Sequence, residues 1–108
     1  IKYIINKVQN SKITGIIATN TTTDKSTLKD EKYWNYEGGL SGEPLREKSN
    51  DLISQIRRVS EEIPLIGVGG VMSQNDYKEK LDLGANLVQI YTGFIMEGPE
   101  LIYKIINK

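Results

Sequence analysis

Four clusters hold the residues with chemistry to offer: Thr19-Asn20-Thr21, Gly38-Gly39-Leu40-Ser41-Gly42, Gly67-Val68-Gly69-Gly70 and Tyr91-Thr92-Gly93. An Asn side chain offers both N–H donors and a carbonyl acceptor, which suits the polar edge of a planar ring. Glycines permit backbone conformations closed to other residues and bring the main chain close to a ligand. The N–H groups of Gly69 and Gly70 are expected to point at phosphate oxygens, with the positive end of the following helix behind them. The GVGG run lacks the spacing of the dinucleotide fingerprint G-x-G-x-x-G, since Met72 stands where its last glycine would be. Tyr91 and Thr92 add hydroxyl donors at the next strand end. This is binding chemistry, aimed at an anion and a flat ring.

Acid–base and metal chemistry find little here. The 108 residues contain no histidine and no cysteine, which excludes disulfides and thiolate metal sites and removes the commonest general base. No catalytic residue and no metal ligand is assigned. Lys and Arg number 14 and Asp and Glu number 14, so the net charge is zero and no nucleic-acid partner is expected.

These clusters are positioned by alternating elements. Ile1, Ile4, Ile5 and Val8 recur at helical spacing. Gly15 to Ala18 is a short strand, and 23–37 is a long polar loop holding Tyr33, Trp34 and Tyr36, better read as loop packing than as a lid. Leu52, Ile53, Ile56 and Val59 mark a second helix, with the Lys and Glu residues of 46–62 as its solvated face. Pro44 fixes the start of that helix. Pro64 to Val68 is a buried strand, Ser73 caps a third helix with Asp76 in its first turn, and Gly84 gives that helix a left-handed end. Tyr77 and Leu81 share its apolar face. Asn86 to Tyr91 is a third strand, and Leu101, Ile102, Ile105 and Ile106 line a last helix. Apolar strands alternating with helices imply an α/β fold with a parallel sheet. That pattern fits an open doubly wound sheet as well as a barrel. By residue type alone, Thr19-Asn20-Thr21 is better read as a strand terminus. GGLSG serves equally as a plain turn, and GVGG is often only a tight strand-to-helix turn.

The ordered set ATNTT, GGLSGEPL at 38–45, IPLIGVGGV at 63–71 and GANLVQIYTGFIMEGP at 84–99 resembles dihydroorotate dehydrogenase, and within it the quinone-dependent class 2. The resemblance runs from about Gly15 to Pro99. It implies that 1–108 is a single segment, the C-terminal portion of about three βα units from a (β/α)8 TIM barrel. It further implies FMN as cofactor, with Thr19, Ser41 and Gly42 against the flavin and Gly69, Gly70, Tyr91 and Thr92 at its phosphate. Asn20 and Thr21 would contact dihydroorotate or orotate. The implied reaction removes a substrate proton with a base and passes a hydride to the flavin, which is reoxidised by a quinone. Base, flavin-contacting lysine and quinone-admitting helices are carried by the missing N-terminal part in that family.

The chain begins at Ile1 in the middle of a helical pattern, and we read it as a fragment. No apolar run approaches the roughly 20 residues that cross a bilayer, and no leader opens it, so an intracellular segment is expected. The parent enzyme would be peripheral on the bacterial cytoplasmic membrane or the mitochondrial inner membrane. The alternative is a half-barrel that binds a phosphate compound or assembles with copies of itself, without dehydrogenase activity. A three-stranded piece leaves two unpaired edges, so the fragment reading expects instability in isolation.

Overall fold

The computed structural model describes residues 1–107. Helix α1 spans Lys2–Gln9, strand β1 Ile16–Ala18, α2 Arg46–Val59, β2 Leu65–Val68, α3 Gln74–Asp82, β3 Leu87–Gln89, α4 Thr92–Glu97 and α5 Glu100–Ile106. The strands form one parallel sheet in the order β1-β2-β3, with Ile16 paired to Leu65 and Ile66 to Leu87. Each strand therefore ends on the same side of the sheet, and the loops that follow them converge.

Alternation along the strands decides which face is covered. Ala18 and Leu65 point toward the helices and join Ile5, Ile53, Ile56, Ile63 and Ala85 in the larger core. Val71, Leu101 and Ile105 form a second core beneath β3, with Tyr77, Val88 and Ile90 packed on it. Gly67 of β2 faces α2 and α3, its Cβ position 2.9 Å from Ile53 Cδ1 and 3.3 Å from Lys80 Cδ. The opposite face is bare. Ile17 and Leu87, paired through Ile66, are 61% and 63% exposed. The strands thus have one covered face and one open apolar face.

Local chemistry fixes the helix ends. Ser73 Oγ accepts from the Asp76 amide at 3.2 Å, the expected cap of α3. Gly84 follows its C-terminus with φ +117°, which relieves an L residue's strain. Pro44 sits in a 3-10 turn, Glu43–Leu45, that runs straight into α2. The long loop 23–37 contains a 3-10 turn at Glu31–Tyr33 and is closed by an antiparallel bridge between Thr22 and Leu40. Lys48 on α2 pairs with Asp24, and its ammonium holds the Asp24 carboxyl well below the usual carboxylate range.

Two boundaries differ from the sequence reading. The third strand is only Leu87–Gln89, and α4, a six-residue helix, begins at Thr92. A helix under two turns long shows too little periodicity to be read from sequence. On α3 the buried residues are Asp76 and Lys80, while Tyr77 and Leu81 are half-buried.

Candidate functional site

The loops after β1, β2 and β3 enclose one cleft of about 520 Å³. All nine residues singled out for binding line it: Thr19, Asn20, Thr21, Ser41, Gly42, Gly69, Gly70, Tyr91 and Thr92. Ile17 and Gln89 also reach it from the open face of the sheet, and Leu45, Val71 and Met72 form its apolar floor. Gln89 escaped the sequence reading because it lies inside an apolar strand, with no loop signal to mark it. Tyr33, Trp34 and Tyr36 lie away from the cleft. Tyr33 and Tyr36 pack with their rings tilted by 57° and centroids 5.5 Å apart, and Trp34 Nε1 donates to the Leu28 carbonyl, so they pack the loop on itself.

At the β1 end, Thr19 N donates to the Val68 carbonyl at 2.8 Å, extending the sheet by one bond. Asn20 Oδ1 accepts from the Thr21 amide at 2.7 Å. That bond orients the Asn20 side chain and leaves its amide group as the exposed donor.

The glycines act in two distinct ways. Gly38 has φ +95°, whereas Gly39, which could also take positive φ, does not. A Cβ on Gly39 would instead collide with the Thr21 side chain, so packing dictates glycine there. Gly42 combines φ +76° with a close approach to Thr92 Cγ2, 3.2 Å from its Cβ position. Thr92 Oγ1 and Ser41 Oγ share a hydrogen bond of 2.9 Å, closing the cleft on one side.

The turn after β2 has the properties of an anion cradle. Gly69 and Gly70 have φ +129° and +73°, and the Cβ position of Gly70 lies 2.7 Å from Arg46 Cα. Among the described residues, no backbone carbonyl accepts from the amides of Gly70 and Val71. The Met72 amide is already taken, since it donates to Asp76 Oδ2 at 3.0 Å. Asp76 is in turn paired with Arg46, whose Nη1 lies 3.1 Å from Asp76 Oδ1. Free amides on a side-chain-free turn fit a phosphate group. Arg46, Ser49, Asn50, Asp76 and Lys80, which support the turn from behind, were missed in sequence. They are spread over α2 and α3 at spacings that read as solvated helix faces.

Comparison with known proteins gives the family. The family model described as dihydroorotate dehydrogenase matches residues 1–108. The chain belongs to the dihydroorotate dehydrogenase family. It is 54% identical over 95 residues to dihydroorotate dehydrogenase (quinone) of Dichelobacter nodosus, covering 88% of this chain and 28% of that protein. It is 50% identical over 106 residues to the enzyme of the same name from Buchnera aphidicola subsp. Schizaphis graminum, covering 97% and 32%. The crystal structure of DHODH from Eimeria tenella in complex with ferulenol superposes with a TM-score of 0.86 at 28% identity, over 96% of this chain and 28% of that one. The chain therefore spans about a third or less of the length of these relatives. The expectation of a partial barrel holds: the fold is α/β, a three-stranded parallel portion of the barrel architecture of these enzymes. No helix among the described residues is long and apolar enough to cross a membrane.

Proposed function

We propose that this chain, as a single segment 1–108, supplies part of the FMN and orotate site of an enzyme that oxidises dihydroorotate to orotate and passes the electrons to a quinone. The observation that carries the reading is the convergence of three strand ends on one cleft holding all nine residues. Relatives named as quinone-dependent dihydroorotate dehydrogenases, at 47–54% identity, support the choice of reaction and acceptor. When bound, FMN supplies the two-electron redox chemistry, and the protein's part is orientation and electrostatics.

Each residue then has a task. The amides of the Gly69–Gly70 turn, with Tyr91 and Thr92, hold the phosphate. Thr19, Ser41 and Gly42 lie against the flavin ring. Asn20 presents its exposed amide donors to the polar edge of the substrate, and Thr21, packed on Gly39, lies beside it. The cleft lining contains no carboxylate, lysine or histidine. By the resemblance to the family, the proton-abstracting group belongs to the remainder of the same barrel, as does access to quinone at a cytoplasmic or mitochondrial inner membrane. That remainder would also cover Ile17 and Leu87.

The test is to purify the longer polypeptide that carries this chain, measure its flavin content, and follow dihydroorotate oxidation with a quinone, fumarate or a nicotinamide acceptor. Stoichiometric FMN and quinone-coupled turnover are expected; a protein without flavin contradicts the reading. A cooperative urea transition for residues 1–108 alone, with no flavin bound, would favour the self-assembling phosphate-binding module.

A further inference from the structure

A buried lysine lies behind the proposed phosphate turn. Lys80 is 0% exposed on α3, yet it carries a cation into the space between two helices and the sheet. Its ammonium donates to Ser49 Oγ at 2.9 Å and to Asn50 Oδ1 at 2.7 Å, both buried on α2. Ser49 Oγ in turn donates to the Val68 carbonyl at 2.7 Å. The hydroxyl has one proton, so accepting from the ammonium commits it to the carbonyl. The Val68 carbonyl belongs to the peptide leading into Gly69 and also accepts from Thr19 N at 2.8 Å. Gly69 completes the contact, for its Cβ position lies 2.9 Å from Ser49 Cβ. The far end of the turn is anchored by the same helices, through Met72 N to Asp76 and Asp76 to Arg46.

We propose that Lys80 is a positioning residue for phosphate recognition: through Ser49 it holds the Val68 carbonyl and thereby sets the Gly69–Gly70 turn, without touching the ligand. The inference rests on the reading of that turn as the phosphate subsite of FMN. Burying a lysine is costly unless it is hydrogen-bonded, and a core of isoleucines would accept an apolar residue there at less cost. The site keeps a cation because a charged donor orders the hydroxyl more firmly than a neutral one. Nothing in the local sequence marks Lys80, because its partners Ser49 and Asn50 lie on another helix.

The experiment compares FMN with riboflavin, which lacks the phosphate, on the flavin-stripped full-length protein. Wild type, Lys80→Met and Ser49→Ala are titrated with each ligand by flavin fluorescence. Lys80→Met keeps the length and packing of the chain, and Ser49→Ala keeps the ammonium and its bond to Asn50. Both variants are expected to lose about tenfold in FMN affinity, the usual worth of a charge-assisted hydrogen bond, while riboflavin affinity changes little. Equal losses for the two ligands would mean a packing role only and would overturn the proposal. So would a wild-type preference for FMN retained in both variants. If Lys80→Met does not fold, Ser49→Ala decides by the same ratio. A wild-type protein that binds riboflavin as tightly as FMN would instead refute the phosphate subsite itself, and the positioning role with it.

Discussion

Ser41 and Thr92 share a hydrogen bond of 2.9 Å although 51 residues separate them. It joins the loop after β1 to the start of α4 after β3, and it forms because Gly42 leaves room for the Thr92 methyl group. Thr92→Val keeps the shape and removes the bond. Because the pair is exposed, the cost to stability should be at most about 1 kcal/mol. FMN affinity should fall severalfold more than stability suggests, since a hydroxyl assigned to the phosphate is lost together with the tie across the cleft. A double-mutant cycle with Ser41→Ala on FMN binding isolates the tie: the double variant should lose less than the sum of the two single variants.

Two glycines with nearly the same φ provide a paired comparison. Gly70 has φ +73° and Gly98 φ +72°, but a Cβ at Gly70 meets Arg46 while one at Gly98 meets nothing within 4 Å. Gly98→Ala should cost about 1–3 kcal/mol of conformational strain, because φ +72° with ψ −162° is a region open essentially to glycine alone. Gly70→Ala should cost well beyond that and abolish FMN retention, because the turn or α2 must shift. Urea melts and flavin content of the two variants measure the difference.

The Lys80 ammonium has its pKa lowered from 10.5 to about 8, chiefly by burial, with Glu79 and Asp76 opposing and Arg46 adding to the fall. Below about pH 8 the residue is charged in both folded and unfolded states and contributes no pH dependence. Between about pH 8 and pH 10.5 the unfolded chain holds the extra proton, so this contribution to stability rises with pH, by up to about 1.4 kcal/mol per unit. The preference for FMN over riboflavin should move the other way and weaken above pH 8, as the charged donor behind the turn is lost. Urea midpoints of wild type less those of Lys80→Met, across this range, isolate the effect from other groups.

Arg57 clamps the opposite ends of the strands. Its Nε donates to the Gly84 carbonyl at 2.7 Å, Nη1 to the carbonyls of Ser60 and Ile63, and Nη2 to Asn86 Oδ1 at 2.8 Å. Arg57→Met strands the carbonyls of Gly84, Ser60 and Ile63, while Asn86 Oδ1 keeps the Leu65 amide, and should destabilise by about 3 kcal/mol. The cleft lies at the other end of β2 and β3, so FMN affinity of the folded variant should be unchanged. Binding and melting measured on the same preparation separate the two effects.

The site was legible in sequence because its residues sit where parallel βα units place their strand ends. Thr19, Gly69 and Tyr91 each follow an apolar run, and the sheet order aligns those ends. Short-range signals also held for the Ser73 cap and the left-handed Gly84. What failed was whatever depends on partners distant in sequence. Lys80 finds Ser49 and Asn50 some 30 residues away, and nothing local distinguishes it from a solvated lysine. Ile17 and Leu87 sit in apolar strand runs, yet they are 61% and 63% exposed on the open face of the sheet. Gly39 was read as a source of backbone freedom, when the contact with Thr21 makes glycine necessary.

The most direct test of the account adds dihydroorotate anaerobically to the full-length protein and to its Asn20→Ala variant while recording the flavin absorbance. Both proteins should purify with FMN. Wild type should bleach on addition of dihydroorotate, and the variant should need about tenfold or more substrate for the same bleaching, as expected when polar contacts to a ligand are lost. A flavin that dihydroorotate does not reduce, or an Asn20→Ala variant reduced at the wild-type concentration, would contradict the assignment of this cleft.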